Sequence, residues 1–233
     1  MTAQQVAMTL YSPRTDPKYQ SDAIPPVPVE NSGLVVSPDT QRTQRLPAGQ
    51  HRTRKWPVLH AGSVPVIDPN EWSLSIDGLV NCPMQFSPEQ FRKLPRARVY
   101  ADFHCVTAWS RLGNLWEGAS VPKLLELCEP QPDAKFLVVS ACDDHWTTNL
   151  PLSEAMQPDV LLADTHDGVL LDADHGGPVR LVVPQLFAWK SAKWVCRITL
   201  TTDNQPGYWE RLGYHDVGNP WLGQRRRETT PPP

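Results

Sequence analysis

The 233-residue chain carries 22 Lys and Arg against 25 Asp and Glu, a formal charge of −3, so it has no cationic field for tracking a phosphate backbone and nucleic-acid binding is not expected. No run approaches the ~20 consecutive apolar residues that span a bilayer, and the first residues show neither a basic-then-apolar leader nor a twin-arginine pair, so a soluble, cytoplasmic protein without a membrane span is expected. A chain of this size can bury roughly 70% of its unfolded surface, and nine tryptophans with 25 prolines point to sheet and aromatic-walled surface rather than a helical bundle.

Residues 1–47 are proline-rich without a period of 2 or 3.6, which predicts an extended or partly disordered arm. The main domain is expected over 48–225, opening on the basic cluster His51, Arg52, Arg54 and Lys55. In EWSLSIDGLV, Trp72, Leu74 and Ile76 alternate with polar residues, as a half-buried strand requires, and Asp77-Gly78 offers a hairpin turn. FSPEQFRKL starts a helix with Ser87 as cap and Gln90 three residues on, a capping box. In ARVYADFHCV, the residues Val99, Ala101, Phe103 and Cys105 share one face while His104 takes the other. ASVPKLLELC reads as a helix burying Leu124, Leu125, Leu127 and Cys128.

AKFLVVSACDD suits a strand buried on both faces, and SEAMQ a helical turn capped by Ser153. DVLLADTHDGVLL predicts a hairpin turning at Asp167-Gly168. VRLVVP and KWVCRITLTTD follow as strands, the latter with Trp194, Cys196, Ile198 and Leu200 on one face. Residues 226–233, the end of GQRRRETTPPP, are expected to be a flexible, solvated tail. The elements together predict an α+β domain of mixed sheets with short helices. Cys82, Cys105, Cys128, Cys142 and Cys196 form no CxxC pair, so reduced thiols are expected.

Cys105 stands apart because it closes an apolar strand and is followed by small and polar residues, where a thiol can face a cavity. Alone, it reads equally as a packing residue. A cysteine hydrolase needs a nearby base; His104 points to the opposite face, which leaves His145, His175 or His215 to approach through the fold. In HGGPVRLVVPQLFAWKSAKW, Arg180, Lys190, Ser191 and Lys193 supply guanidinium, ammonium and hydroxyl groups between bulky aromatics, the chemistry of a phosphate pocket.

The motifs HCVTAWS…WEG, NLPL, GGPVRLVVP, WKSAKW and PGYWE…GYH…GNPW, spread from Gln50 to Arg225, resemble the molybdopterin domain of the sulfite oxidase family. The likeness is to its small bacterial members, relatives of the molybdenum subunit of periplasmic methionine sulfoxide reductase. The resemblance implies a Mo-molybdopterin cofactor with Cys105 as the protein's metal ligand and catalytic centre. It places Arg180, Ser191 and Lys193 on the pterin phosphate, with Ala192 lending backbone contacts. It also puts Ser140, His175, His51 and Arg52 against the cofactor. The implied activity is two-electron oxygen-atom transfer on a small molecule such as a sulfoxide, N-oxide or sulfite, with electrons exchanged with a separate protein or small redox carrier. The rival readings are a non-catalytic molybdopterin carrier and a metal-free cysteine hydrolase. Ala108 and His145-Trp146 depart from the pattern of similar bacterial proteins, and Arg111 is the one candidate for gripping a dianion.

Overall fold

The computed structural model describes residues 23–31, 33–143 and 146–227. The first 22 residues of the predicted arm, residues 228–233 of the predicted tail, and His145 lie outside the described residues. Among the described residues, two sheets and four short α-helices build a mixed α+β domain. The first sheet joins β1 (Val35–Val36), β2 (His51–Arg52), β5 (Arg96–His104), β6 (Trp109–Ser120), β9 (Leu161–His166), β10 (Val169–Leu170) and β11 (Arg180–Val182). The second runs in the order β4 (Met84–Phe86), β3 (Leu74–Gly78), β12 (Val195–Thr201), β7 (Phe136–Ala141) and β8 (Thr147–Pro151). Helices α1 (Pro88–Arg92), α2 (Val121–Cys128), α3 (Leu152–Ala155) and α4 (Tyr208–Arg211) fill the connections.

The pleat of the first sheet explains where the core lies. On β9 and β11, Leu162 and Leu181 face the large core shared with Leu74, Ile76, Val139 and Ile198 of the second sheet. Their neighbours Leu161, Ala163 and Val182 face a second cluster with Val99, Ala101, Phe103, Cys105, Trp109 and Trp116. Successive side chains on a strand point to opposite faces, so both faces of this sheet are covered. The alternation predicted around Cys105 is therefore the one observed, with His104 on the reverse face hydrogen-bonded at Nδ1 to Ser110 Oγ, 2.8 Å away.

Several local expectations hold in detail. Ser87 accepts from the Gln90 backbone N–H while the Gln90 side chain accepts from Ser87, completing the capping box. Asp167 and Gly168, at φ 49° and 82°, make the tight β9–β10 turn.

Others are corrected. The β3–β4 hairpin turns through residues 79–83, not at Asp77-Gly78. Gly78 instead lets β12 pass close: with φ +83°, a Cβ there would sit 2.2 Å from the Leu200 carbonyl oxygen. Strand β7 alternates between buried and half-buried residues, because only one face of the second sheet meets the core. Ser153 lies inside α3 and caps nothing; Pro151 precedes the helix. Leu127 is 45% exposed, since α2 buries only the stripe through Leu124, Leu125 and Cys128. The long strand β6 has no periodic signature, because Gly113 and Gly118 interrupt it and its residues are buried on both faces.

Cys196 is not a core thiol. A register shift between Val195 and Arg197 turns it out of the core face, and it forms a disulfide with Cys142, Cα atoms 5.2 Å apart. The expectation of five reduced thiols is overturned at this pair, while Cys82, Cys105 and Cys128 are free.

The proline-rich stretch runs along the first sheet from Ala23 onward. β1 pairs in parallel with β5. Arg45 makes a bidentate pair with buried Asp102 at 2.6 and 2.8 Å and donates to the Pro25 carbonyl at 2.7 Å.

Candidate functional site

Cys105 occupies the four-residue turn between β5 and β6. Its N–H donates to the Trp109 carbonyl at 2.8 Å and its own carbonyl accepts from Ala108 at 3.1 Å. Ala108 takes φ 73°, the left-handed conformation that closes the turn. Gln50 Nε2 donates to the Cys105 carbonyl at 3.0 Å and Gln50 Oε1 accepts from the Ser110 hydroxyl at 3.2 Å, so one side chain ties the turn's backbone at the thiol to the start of β6. The sulfur accepts from the Thr107 hydroxyl at 3.2 Å. Burial pushes the thiol up; the Thr107 hydroxyl and the charge of Arg225 act against it.

The sulfur opens onto a cavity of about 220 Å³. Six of the nine tryptophans (Trp56, Trp109, Trp146, Trp189, Trp194 and Trp209) line it. Trp56 stacks on His175 with ring centroids 4.0 Å apart and lies 4.3 Å from His166. Trp189 and Trp209 meet across Tyr214 at 5.2 and 5.1 Å.

Arg180 enters the same cavity from β11. Its guanidinium donates from Nη1 to the His175 carbonyl at 2.8 Å and from Nη2 to the Ser191 carbonyl at 3.0 Å, and its Nε has no partner. It sits among the rings of Trp56, Phe103 and Trp116, 5.2–5.7 Å from their centroids. No carboxylate is paired with it among the described residues; burial drives its pKa well below the ordinary arginine value, with only the field of Asp172 opposing. A cation desolvated in this way is strongly stabilised by an anion brought to it. Lys193 adds a second positive group, pushed down to about 7 by burial and by Arg180. Gly176, at φ +103°, gives that lysine room, since a Cβ there would stand 2.9 Å from Lys193 Cβ. Ser191 Oγ accepts from Val183 N–H at 3.0 Å, which leaves its proton to donate outward.

The sequence-predicted residues separate clearly. Cys105, His175, Arg180, Ser191 and Lys193 line one cavity. Ala192 is fully buried beside them, its carbonyl accepting from Leu181 at 2.8 Å. Ser140 does not reach the cavity, because the alternation of β7 puts it on the half-exposed face. His51 and Arg52 form an edge strand beside Trp109 and Ser110, outside the cavity lining. Arg111 is also displaced from the mouth: it is fully buried and bound to Asn114, to His166 at 2.7 Å and to Asp167 at 3.1 Å. Lys190 belongs to an interior ion pair with Glu210 at 2.6 Å.

No histidine serves Cys105 as a base among the described residues. His175 Nδ1 pairs with Asp172 at 2.8 Å, His215 Nδ1 accepts from Val217 and Gly218, and burial holds His104 at about 4, neutral on the opposite face. Among the described residues the hydrolase reading thus gains no hydrogen-bonded Cys–His pair. A buried soft donor facing a carboxylate-free cationic cradle across a flat aromatic space fits a planar, sulfur-ligated, phosphate-bearing group.

Sequence reasoning missed Gln50, Trp56, Thr107 and Arg225. Each acts through a contact more than forty residues away in sequence or through one hydrogen bond, and neither leaves a periodic pattern. Arg225, at the end of the expected domain, donates from Nη1 to the Val106 carbonyl, and of the expected tail Arg226 lies over the Tyr214 ring and Arg227 pairs with Asp216 at 2.7 Å.

Residues 61–209 match the oxidoreductase molybdopterin binding domain. The uncharacterized oxidoreductase YuiH of Bacillus subtilis (strain 168) is 43% identical over 187 residues, covering 80% of this chain and 94% of that protein. The protein-methionine-sulfoxide reductase catalytic subunit MsrP of Ralstonia nicotianae is 29% identical over 70% of this chain, and the match spans only 52% of that relative's length. The sulfane dehydrogenase SoxCD of Paracoccus pantotrophus shares the fold, with TM-score 0.58 and 23% identity over 72% of this chain and 46% of that one. No helix among the described residues is long and apolar enough to cross a membrane. Motifs, cavity and matched domain agree, and the chain belongs to the molybdopterin-binding oxidoreductases of the sulfite oxidase family.

Proposed function

We propose that the cavity holds a pterin-bound molybdenum with Cys105 as its protein ligand and that the protein reduces a small, uncharged sulfoxide by two-electron oxygen-atom transfer. The observation that carries this reading is one cavity, with no carboxylate among its described lining residues, shared by a buried thiol and the cations Arg180 and Lys193. When bound, the cofactor supplies the soft metal and the redox range for moving an oxygen atom. The chain's own residues bind and orient. Cys105 gives up its thiol proton on ligation, and the Thr107 hydroxyl supports the resulting thiolate. Arg180 and Lys193 meet the phosphate, with the Ser191 hydroxyl donating to it. The His175 ring, fixed by Asp172 and Trp56, presents a polar edge within an otherwise aromatic wall.

The net reaction consumes two electrons and two protons, converting a sulfoxide to a thioether and water. A neutral substrate is favoured because Arg111 is locked in its own buried network, leaving no arginine cluster at the mouth for a dianion. The name of the MsrP relatives supports a thioether sulfoxide. Electrons arrive from a separate carrier. The test is metal analysis of protein made in a cofactor-competent host, followed by dye-coupled turnover with methyl sulfoxides and with sulfite. Bound molybdenum and sulfoxide turnover are expected. A molybdenum-loaded protein that leaves sulfoxides, N-oxides and sulfite untouched is a carrier and defeats the catalytic reading.

A further inference from the structure

Helix α4 and the segment after it flank the Cys105 turn on two sides. In front, Trp209 and Tyr214 line the cavity. Behind, the Trp221 indole meets the His104 ring edge-on at 5.8 Å and carries the Arg42 guanidinium 4.1 Å above its own face. From the end of the segment, Arg225 reaches back across 119 residues of sequence to the Val106 carbonyl, the residue next to Cys105. Its guanidinium lies over the Phe187 ring at 5.1 Å, and its backbone is tied to Gly223 at 2.8 Å and His215 at 3.3 Å.

We infer that Arg225 is a positioning residue for Cys105: with Gln50, it clamps the carbonyls of the turn so that the sulfur is preset toward the cavity. The two carbonyls of Cys105 and Val106 each receive one side-chain donor, from Gln50 and Arg225 respectively. Both donors lie outside residues 61–209, the stretch that matches the family domain, so the clamp is supplied by this chain's flanking segments. A ligand on a four-residue turn needs such support, because a metal site tolerates only about 0.5 Å of play in its ligands. A guanidinium is well suited to this role, since it is permanently charged, its fork lies over the Phe187 ring, and one N–H remains directed at the carbonyl.

This inference rests on the metal-ligand reading of Cys105 for its purpose, but its test does not need the metal. Arg225→Met keeps the stem and removes the donor; Arg225→Gln shortens and neutralises it; Arg225→Lys retains one charged donor. In cofactor-free protein, iodoacetamide labelling of Cys105 is followed by peptide mass mapping, with half-buried Cys82 as the internal reference. Labelling is followed across a full pH–rate profile, which separates access from the loss of the Arg225 charge that favours the thiolate. The Met and Gln variants are expected to raise the pH-independent labelling rate of the Cys105 thiolate about tenfold, the size associated with losing one charge-assisted hydrogen bond. Cys82 labelling should stay unchanged, and Arg225→Lys should recover most of the protection. In molybdenum-loaded protein, the same two variants should lose metal about tenfold faster on dialysis. Should either variant fail to fold, the other carries the test. Wild-type labelling of Cys105 in a folded Met or Gln variant overturns the clamp. If wild-type protein from a competent host binds no molybdenum, the metal reading fails, and the labelling still decides the clamp.

Discussion

Removing the Glu210 carboxylate should destabilise the protein more than any other single change beside the cavity. Glu210 is fully buried, and its Oε1 accepts from Lys190 Nζ at 2.6 Å, from Trp189 Nε1 at 3.1 Å and from the Thr148 hydroxyl at 3.1 Å. Lys190 also donates to the Asn149 carbonyl at 2.8 Å and to its side chain at 2.9 Å. Glu210→Ala strands a buried ammonium, and breaking such a pair from one side costs about 3–5 kcal/mol. The two Asn149 acceptors remain, which places the expected loss near the lower end, about 3 kcal/mol. For a chain of this length that is a fall of about 6–12 °C in Tm. The double variant Lys190→Met/Glu210→Gln leaves no unpaired charge and should recover most of the loss.

Burial lowers the Lys190 pKa, with Glu210 opposing; without that carboxylate it falls further. The folded variant then sheds the proton before the unfolded chain does at about 10.5, so its deficit should shrink as pH rises through that window. Urea unfolding at several pH values measures all three quantities. A Glu210→Ala protein within about 1 kcal/mol of wild type, or a double variant worse than the single one, refutes the reasoning.

Cys105→Ser should fold with wild-type Tm yet retain little molybdenum, because a hydroxyl is a harder and far less acidic ligand than a thiol; metal analysis checks it. Arg180→Ala should lower cofactor occupancy more than it lowers stability of the cofactor-free protein, since it removes an uncompensated buried cation. Cofactor-free protein should gain stability as pH climbs from about 7 toward 10.5, because folded Lys193 loses its proton first, and Lys193→Met should reduce that rise to the part contributed by Lys190. Cys142→Ser/Cys196→Ser opens a cross-link spanning 54 residues, for which the chain-entropy relation gives about 4 kcal/mol, read by denaturant unfolding.

Legibility in the sequence followed the range of the interactions involved. The Ser87 capping box and the Asp167-Gly168 turn are settled within four residues, and both could be read directly. The face of Cys105 could be read because alternation along β5 is uninterrupted. That Arg180, Ser191 and Lys193 would share one cavity was readable because they are close in sequence and brought together by one short connection. Ser140 was misplaced because a strand's end does not state which sheet it joins or which face meets the core. The Cys142–Cys196 bridge depends on a register shift in β12, and nothing in the local pattern announces one. Gln50 and Arg225 act on the Cys105 turn from opposite ends of the chain, a relation visible only once the strands have been paired.

The aromatic wall has an evolutionary consequence. Trp146, Trp209 and Tyr214 stand on connections separate from the turn bearing Cys105 and from the stretch bearing Arg180, Ser191 and Lys193. Drift in those connections can reshape what enters the chamber without touching Cys105, Arg180, Ser191 or Lys193. A lineage built this way can diversify its chemistry at the entrance while inheriting the expensive part intact.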